Sequence, residues 1–578
     1  MRRAQNATES ELIRSFQSVE HKADMLNEYS FYRGDPLAYK QELADLFRVT
    51  PADVKRVANQ YLTAARVRVD VTPGEPTPRG PEPDVDRAAQ APLASPPLAA
   101  VKDSFDRSAM PKVGPPPLFT PPPVSRRTLS NGLELVVCER RALPILSIQL
   151  MCKGGENLVP AARDGLAALT ASVLTEATTT LDSLALAGEL SEIGAAIVSS
   201  GGLESTSVRI TTLSRHRDRA LGLFADVVLR PAFHEKDVAR QKFRRVSMLR
   251  ARTDHPESVA GVVFNRVLYG ESHPYGRPPE GTPETVGAVT REDLVKFHKQ
   301  VFVPGNAAVV VVGDTTADAI APAVEAALKG WPGGKAPAVD LPKPPPRPEG
   351  VQLYLVDKPS AAQSVLRIGQ VGVPRKHPDY VALTVMNAVL GGQFSSRINL
   401  NLREDKGFTY GAGSGYDFRV GPGPFEAETS VATPVTKESL AELIKELTEF
   451  GSTRPVTDQE LAFAKDRIIC GFPSQFQTTA GVASSLAELF VYDLPDDDLT
   501  RYPARVEALT RADVERAARD HLDPKRLTVV VVGDRAKVEG PLKTLPFVKE
   551  VRLVDDQGNP AGAPHARAGK NPVMIGDE

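Results

Sequence analysis

The sequence predicts an α+β protein: two tandem copies of one antiparallel-sheet-plus-helices unit of about 200 residues, preceded by the truncated end of a third copy. Three observations carry this reading. The chain repeats itself: Val289-Thr290-Arg291-Glu292-Asp293-Leu294 leads to a VVVVGD run ending at Asp314, and Leu509-Thr510-Arg511-Ala512-Asp513-Val514 leads to the same run ending at Asp534, 220 residues later. Thr206-Ser207-Val208 against Thr429-Ser430-Val431, Arg230-Pro231 against Arg454-Pro455, Ala168-Leu169-Thr170 against Ala382-Leu383-Thr384, and Gly132 against Gly350 recur at offsets between 214 and 224. Within each copy, strand runs are segregated from helix runs, which favours antiparallel sheet over a doubly wound parallel one. Finally, the 50 prolines cluster rather than spread, and the clusters mark boundaries.

In chain order, residues 1–73 form the remnant. Val49-Thr50-Pro51-Ala52-Asp53-Val54 opens a helix as the two later copies do, and Val67–Val71 has the pattern of a closing strand. The expectation is a chain that starts inside a repeat, as a fragment or from an internal start. Residues 74–124 are proline-rich without helical or strand period, an extended semi-rigid linker. Residues 125–335 make the first full unit, opening with the strand pair Leu133–Val137 and Ile145–Met151. A second proline-rich linker spans 336–348. The second unit, 349–546, opens with Val351–Val356 and Val365–Ile368, and 547–578 reads as a polar tail.

Composition excludes several function classes. With 70 Lys plus Arg against 72 Asp plus Glu, the net charge of −2 supplies no basic field for nucleic acid. No apolar run approaches the roughly 18 residues a membrane helix needs. Cys138, Cys152 and Cys470 make no disulfide framework and no C-x-x-C pair. Met1-Arg2-Arg3-Ala4-Gln5-Asn6 has charge but no apolar stretch behind it, so no signal peptide is expected on this chain. That fits a cytoplasmic protein, or a periplasmic one if a leader lies upstream.

Local motifs for phosphate or nucleophile chemistry fail. Gly411-Ala412-Gly413-Ser414-Gly415 lacks the Gly two before Ser of a nucleophile elbow and reads as strand or turn. Gly333-Gly334-Lys335-Ala336 has no Ser or Thr after its Lys, so it is no phosphate loop. None of the nine histidines pairs at i, i+4, so no single helix face can chelate zinc. His273-Pro274-Tyr275-Gly276 reads as a turn with a structural histidine. Ser395 or Ser396 is expected to cap a helix, and Glu292, Asp293 and Glu404 to be first-turn or surface charges.

Several motifs together carry more. Lys153-Gly154-Gly155-Glu156 ends a strand, and Gly165-Leu166-Ala167 then opens a helix. They are joined by His273-Pro274-Tyr275-Gly276, by Gly391-Gly392 with Ser395-Ser396-Arg397, and by Leu402-Arg403-Glu404 with Lys406-Gly407-Phe408-Thr409-Tyr410-Gly411. Over about 500 residues the chain resembles the pitrilysin/insulinase (inverzincin) family of zinc metallopeptidases. The resemblance implies one bowl of a clamshell of processing-peptidase-like units. The family places H-x-x-E-H directly after that Gly-Leu-Ala. Here Ala168, Ala171 and Ser172 hold those positions, and Met248 falls approximately where a third, acidic ligand belongs. The expectation is no metal ligand, no general base and no cofactor on this chain. Leu166, Leu169, Val173 and Ala177 then make an ordinary core helix.

The resemblance also singles out Arg403 and Tyr410, seven residues apart, as the pair that reaches across to a substrate carbonyl. It implies a non-catalytic, substrate-clamping half, inactive alone. Its partners would be a zinc-bearing half, fused upstream or separate, and an unfolded peptide. The alternative is an inactive structural or binding subunit of the same fold. A hydrolase with a relocated zinc site is disfavoured because no histidines are paired.

Overall fold

The structure, a computed structural model, describes residues 1–72, 114, 119–346 and 349–561. Two six-stranded sheets dominate. The first is ordered β1-β2-β6-β3-β5-β4, from Ser125–Thr128 (β1), Glu134–Glu139 (β2), Ile145–Lys153 (β3), Ala196–Gly201 (β4), Ser205–Leu213 (β5) and Ala307–Gly313 (β6). The second is ordered β12-β7-β11-β8-β10-β9, from Val351–Asp357 (β7), Gln363–Val371 (β8), Ala412–Tyr416 (β9), Pro424–Ala432 (β10), Thr528–Gly533 (β11) and Val548–Val554 (β12). The duplication is therefore real in three dimensions, and each unit is α+β.

Two details differ from expectation. The leading strands of each unit do not pair with each other. The closing strand inserts between them, parallel to the first and antiparallel to the second, as β6 does with β2 and β3 and β11 with β7 and β8. The second unit also runs past residue 546: within the expected 547–578 tail, Val548–Val554 forms β12, parallel on β7, and residues 562–578 lie outside the described residues.

The reason for the insertion is that the closing strand is apolar on both faces, which suits a central, doubly covered position. Along β6, Val309 and Val311 point into the first unit's own core. Val310 and Val312 point the other way, onto Phe472, Val482, Leu486 and Leu489 of the second unit. In β11, Val529 and Val531 face the second core, while Val530 and Val532 meet Val259, Val263 and Phe264 of the first unit. Each unit thus lends the other a helix, Pro256–Tyr269 in one direction and Thr479–Val491 in the other. Burial of these alternating valines locks the two units into one body.

The N-terminal remnant folds as four helices, Arg2–Ser15, Val19–Arg33, Tyr39–Arg48 and Pro51–Tyr61. The first docks on the first unit: Glu9 takes both guanidinium nitrogens of Arg215, and Asn6 donates to the Glu192 carbonyl. The last carries the same Thr–Asp capping box, Thr50 with Asp53, as Thr290 with Asp293 and Thr510 with Asp513. Val67–Val71, expected as a strand, joins neither sheet and is exposed. Its counterparts β6 and β11 already fill the two central slots, and a strand without a neighbour has no partner for its backbone. Most of the expected 74–124 linker lies outside the described residues, but Phe119 packs edge-on against Phe472 and tilted against Phe476. Among the described residues, no helix is long and apolar enough to cross a membrane.

Candidate functional site

The positions of the family's zinc motif sit at the start of the helix Leu166–Leu174. Gly165 turns into it with φ of 93°, and a Cβ there would meet the Glu280 carbonyl at 2.6 Å, so the turn demands glycine. The buried Glu156 carboxylate accepts from the Gly165 and Ala167 N–H groups, capping the helix start. Burial pushes its carboxyl up to about 8 against the pull of those two bonds.

Ala168 and Ala171 are buried methyl groups. Ser172 Oγ donates to the Ala168 carbonyl at 3.0 Å and accepts from Arg245 Nη2 at 2.9 Å. Arg245 reaches in from the helix Glu235–Arg252 and also donates to the Ala168 carbonyl at 3.2 Å. Its pKa is lowered by burial. Met248, at the approximate third-ligand position, is 66% exposed. Zinc sites in proteins are built from Cys, His, Asp and Glu donors. Two methyls, an engaged hydroxyl and a guanidinium do not fit that ion, and no zinc chemistry is routed through this helix.

The second segment is differently made. Arg397–Asn399 begins a helical turn that continues as a π-turn over Leu400–Asp405, a geometry that recurs at functional sites. Arg397, 8% exposed, anchors it. Its Nε and Nη2 grip both Glu460 oxygens at 2.6 and 2.8 Å, while Nη1 and Nη2 donate to the Arg454 and Pro455 carbonyls. Asn399 accepts from the Ala412 N–H at 3.1 Å, and Thr409 Oγ1 donates to the Ser430 and Gly411 carbonyls. The backbone from 397 to 412 is therefore pinned at several points.

Arg403 and Tyr410 project from this pinned frame. The Arg403 guanidinium lies 4.6 Å from the centre of the Phe394 ring, and its Nε approaches Glu404 at 3.4 Å. Tyr410 is 93% exposed. Tyr410 also lines a cleft of about 750 Å³ on the face of β8, β9 and β10 that carries Val365 and Arg367 and turns toward helix Pro256–Tyr269. Glu426 and Glu428 bind Arg367 on the cleft floor, and Glu257 of the first unit closes one side. Arg403 does not line the cleft. Ser396 stands at the helix N-cap, but its hydroxyl makes no capping bond.

Other candidates resolve as structure. His273 is buried and accepts from the Tyr275 N–H at 3.0 Å, the structural role its turn suggests. Among the described residues one trio could ligate a metal, His377, Asp379 and His521. Asp379 is already held by both Arg516 nitrogens at 3.0 and 2.6 Å and by His521 Nε2 at 2.8 Å. Arg516 first, then His521, hold its carboxyl well below the usual range against the opposing effect of burial. The cluster clamps helix Tyr380–Leu390 to helix Arg511–His521. Sequence reading missed Arg397 and Arg245. For Arg397 a signal existed: it belongs to the Ser395-Ser396-Arg397 motif, and its carbonyl partners are the repeated Arg454-Pro455.

Residues 136–267 match the family model described as insulinase (peptidase family M16), and residues 288–468 match the one described as peptidase M16 inactive domain. An uncharacterized zinc protease of Mycobacterium leprae is 26% identical over 347 residues, 59% of this chain and 76% of that protein. A non-peptidase homolog of Helicobacter pylori is 22% identical over 403 residues, 69% and 91% of the two chains. Among solved structures, a peptidase M16 inactive domain from Pseudomonas fluorescens superposes with a TM-score of 0.66 at 27% identity, covering 71% of this chain and 98% of that one.

Proposed function

Because the chain belongs to the insulinase (M16) family of peptidases, we propose that it is a non-catalytic half that clamps peptide substrate for a zinc-bearing half of the same fold. The carrying observation is the contrast within one segment: the backbone around Arg403 and Tyr410 is fixed at several points, while Tyr410 is left almost wholly in solvent. A guanidinium and a phenol are donors suited to a peptide carbonyl and the charge that develops on it. The metal chemistry belongs to the partner half, and an unfolded peptide would add as a strand to a sheet edge there.

The test uses the full chain alone, a zinc-bearing M16 half alone, and the two mixed, each assayed on an unfolded fluorogenic peptide. The expected result is no turnover by this chain and turnover by the mixture well above that of the zinc-bearing half. Elemental analysis of this chain should find no stoichiometric zinc. A mixture no more active than the zinc-bearing half would favour the second reading, an inactive structural or binding subunit. The sealed helix at Ala168–Ser172 and the non-peptidase homolog of Helicobacter pylori support that alternative.

A further inference from the structure

The helix Pro51–Tyr61 and the segment Val67–Val71 repeat the closing helix and strand of both units without a gap. Counted from the capping threonine (Thr50, Thr290 or Thr510), apolar residues recur 4, 7 and 12 residues on. Val54, Val57 and Leu62 stand where the first unit has Leu294, Phe297 and Phe302 and the second has Val514, Ala517 and Leu522. The strands keep the same count. Val69 and Val71 fall 19 and 21 residues on, at the places of Val309 and Val311 in β6 and of Val529 and Val531 in β11.

In the two complete units all of these counterparts lie in the unit's own core, none more than 7% exposed. The five residues of the remnant are exposed by between 43% (Val57) and 91% (Val71). A closing helix and strand cannot bury such a face alone, and leaving it in water is unfavourable. What covers it is the same in both units: a first strand parallel to the closing strand and a second antiparallel to it, with the closing helix packed over the same core. Neither unit of this chain can lend that cover, because β6 and β11 fill both slots. The docked first helix meanwhile holds the remnant beside the first unit.

The other face of the segment differs. Asp70 stands where Val310 and Val530 make the contacts between units, and Arg68 where Ala308 and Thr528 stand. Arg68 Nε donates to Asp70 at 2.9 Å. The segment thus calls for apolar cover on one face alone.

We propose that residues 51–71 are the docking surface for a third unit of the same fold, one that lacks its own closing helix and strand. Val69 and Val71 enter its core, with Val67–Val71 parallel to its first strand and antiparallel to its second, a case of strand complementation. Val54, Val57 and Leu62 cover that core, and Arg68 and Asp70 stay on a polar face.

The test co-expresses the full chain with a zinc-bearing M16 half in two forms, complete and shortened before the closing helix of its second unit. Co-expression offers the missing strand while the shortened half folds. The expected result is a 1:1 complex with the shortened half in which amide exchange across 67–71 slows by about 10²-fold or more. The complete half, whose slot is filled, should give no protection there. Val69→Asp with Val71→Asp should leave the Tm of the free chain unchanged, since both positions are exposed, and weaken the complex by about 10²-fold or more by burying charge. Arg68→Ala, on the other face, should change affinity by less than about threefold. Failure to capture the shortened half overturns the proposal, as does capture that the aspartate pair leaves intact. Equal protection by the complete half also overturns it. Protection of 67–71 in the chain alone, rising with concentration, would assign the surface to a second copy instead. Docking is read without turnover, so faster turnover by the zinc-bearing half with no protection at 67–71 would overturn the docking and leave the clamp standing.

Discussion

The helix start at Gly165–Ser172 and the turn at Arg397–Tyr410 are the two places where the family's chemistry would concentrate, and they are built in opposite ways. In the first, the polar groups bond to one another and to the backbone. Glu156 caps the backbone, Ser172 and Arg245 satisfy one another and the Ala168 carbonyl, and methyl groups fill the remaining space. In the second, the frame is equally well bonded, but Tyr410 points outward beside a cleft. The first segment is part of the core. The second leaves Tyr410 exposed on a backbone bonded at several points.

If the second segment is a rigid frame, its anchor should matter most. Arg397→Ala leaves Glu460 half-sheltered without its bidentate partner and two carbonyls without donors, so a loss of about 3–5 kcal/mol is expected, read by denaturant unfolding. Leu169→Ala tests the first segment as core: Leu169 is fully buried, and the expected cost is about 2–5 kcal/mol. A loss well under about 1 kcal/mol would mean that helix is not the sealed core described. The smallest effect is a pH slope. Burial opposes ionisation of Glu460, but Arg397 and Thr457 hold its carboxyl down to about 2, from an ordinary value of 4.5. Between those values the unfolded chain binds more protons than the folded one. Stability from this pair is therefore present above about pH 4.5 and lost as pH falls toward 2. Glu460→Gln should flatten that part of the acid-unfolding curve, and an unchanged slope would place Arg397's grip elsewhere.

Much of this was legible from sequence where local chemistry and pattern agree. The three Thr–Asp capping boxes follow from short-range bonds, and they form in all three copies, even where the helix Pro51–Tyr61 buries nothing. The repeat likewise marked two equivalent units. Strand neighbours were less legible. Glu134–Glu139 and Ile145–Lys153 look like a hairpin because they are close in sequence, yet the doubly apolar β6 outcompetes direct pairing and separates them. Val548–Val554 was missed because its charged residues disguise an edge strand. Val67–Val71 has strand composition but no sheet to join. Arg245 could not be foreseen, since only the tertiary approach of its helix brings it to Ser172. At the segment carrying Arg403 and Tyr410, Arg397's anchoring was not legible, because its partners lie about 60 residues away.

The most direct test of the proposed clamp is the kinetics of Arg403→Ala and Tyr410→Phe in a mixture of this chain with a zinc-bearing M16 half, with Tm measured alongside. Neither side chain is fixed by burial, so stability should move by less than about 0.5 kcal/mol, while kcat/KM on an unfolded peptide falls by about 10²-fold, the scale of one lost oxyanion donor. Unchanged kcat/KM in both variants, with the assembly intact, would contradict the assignment.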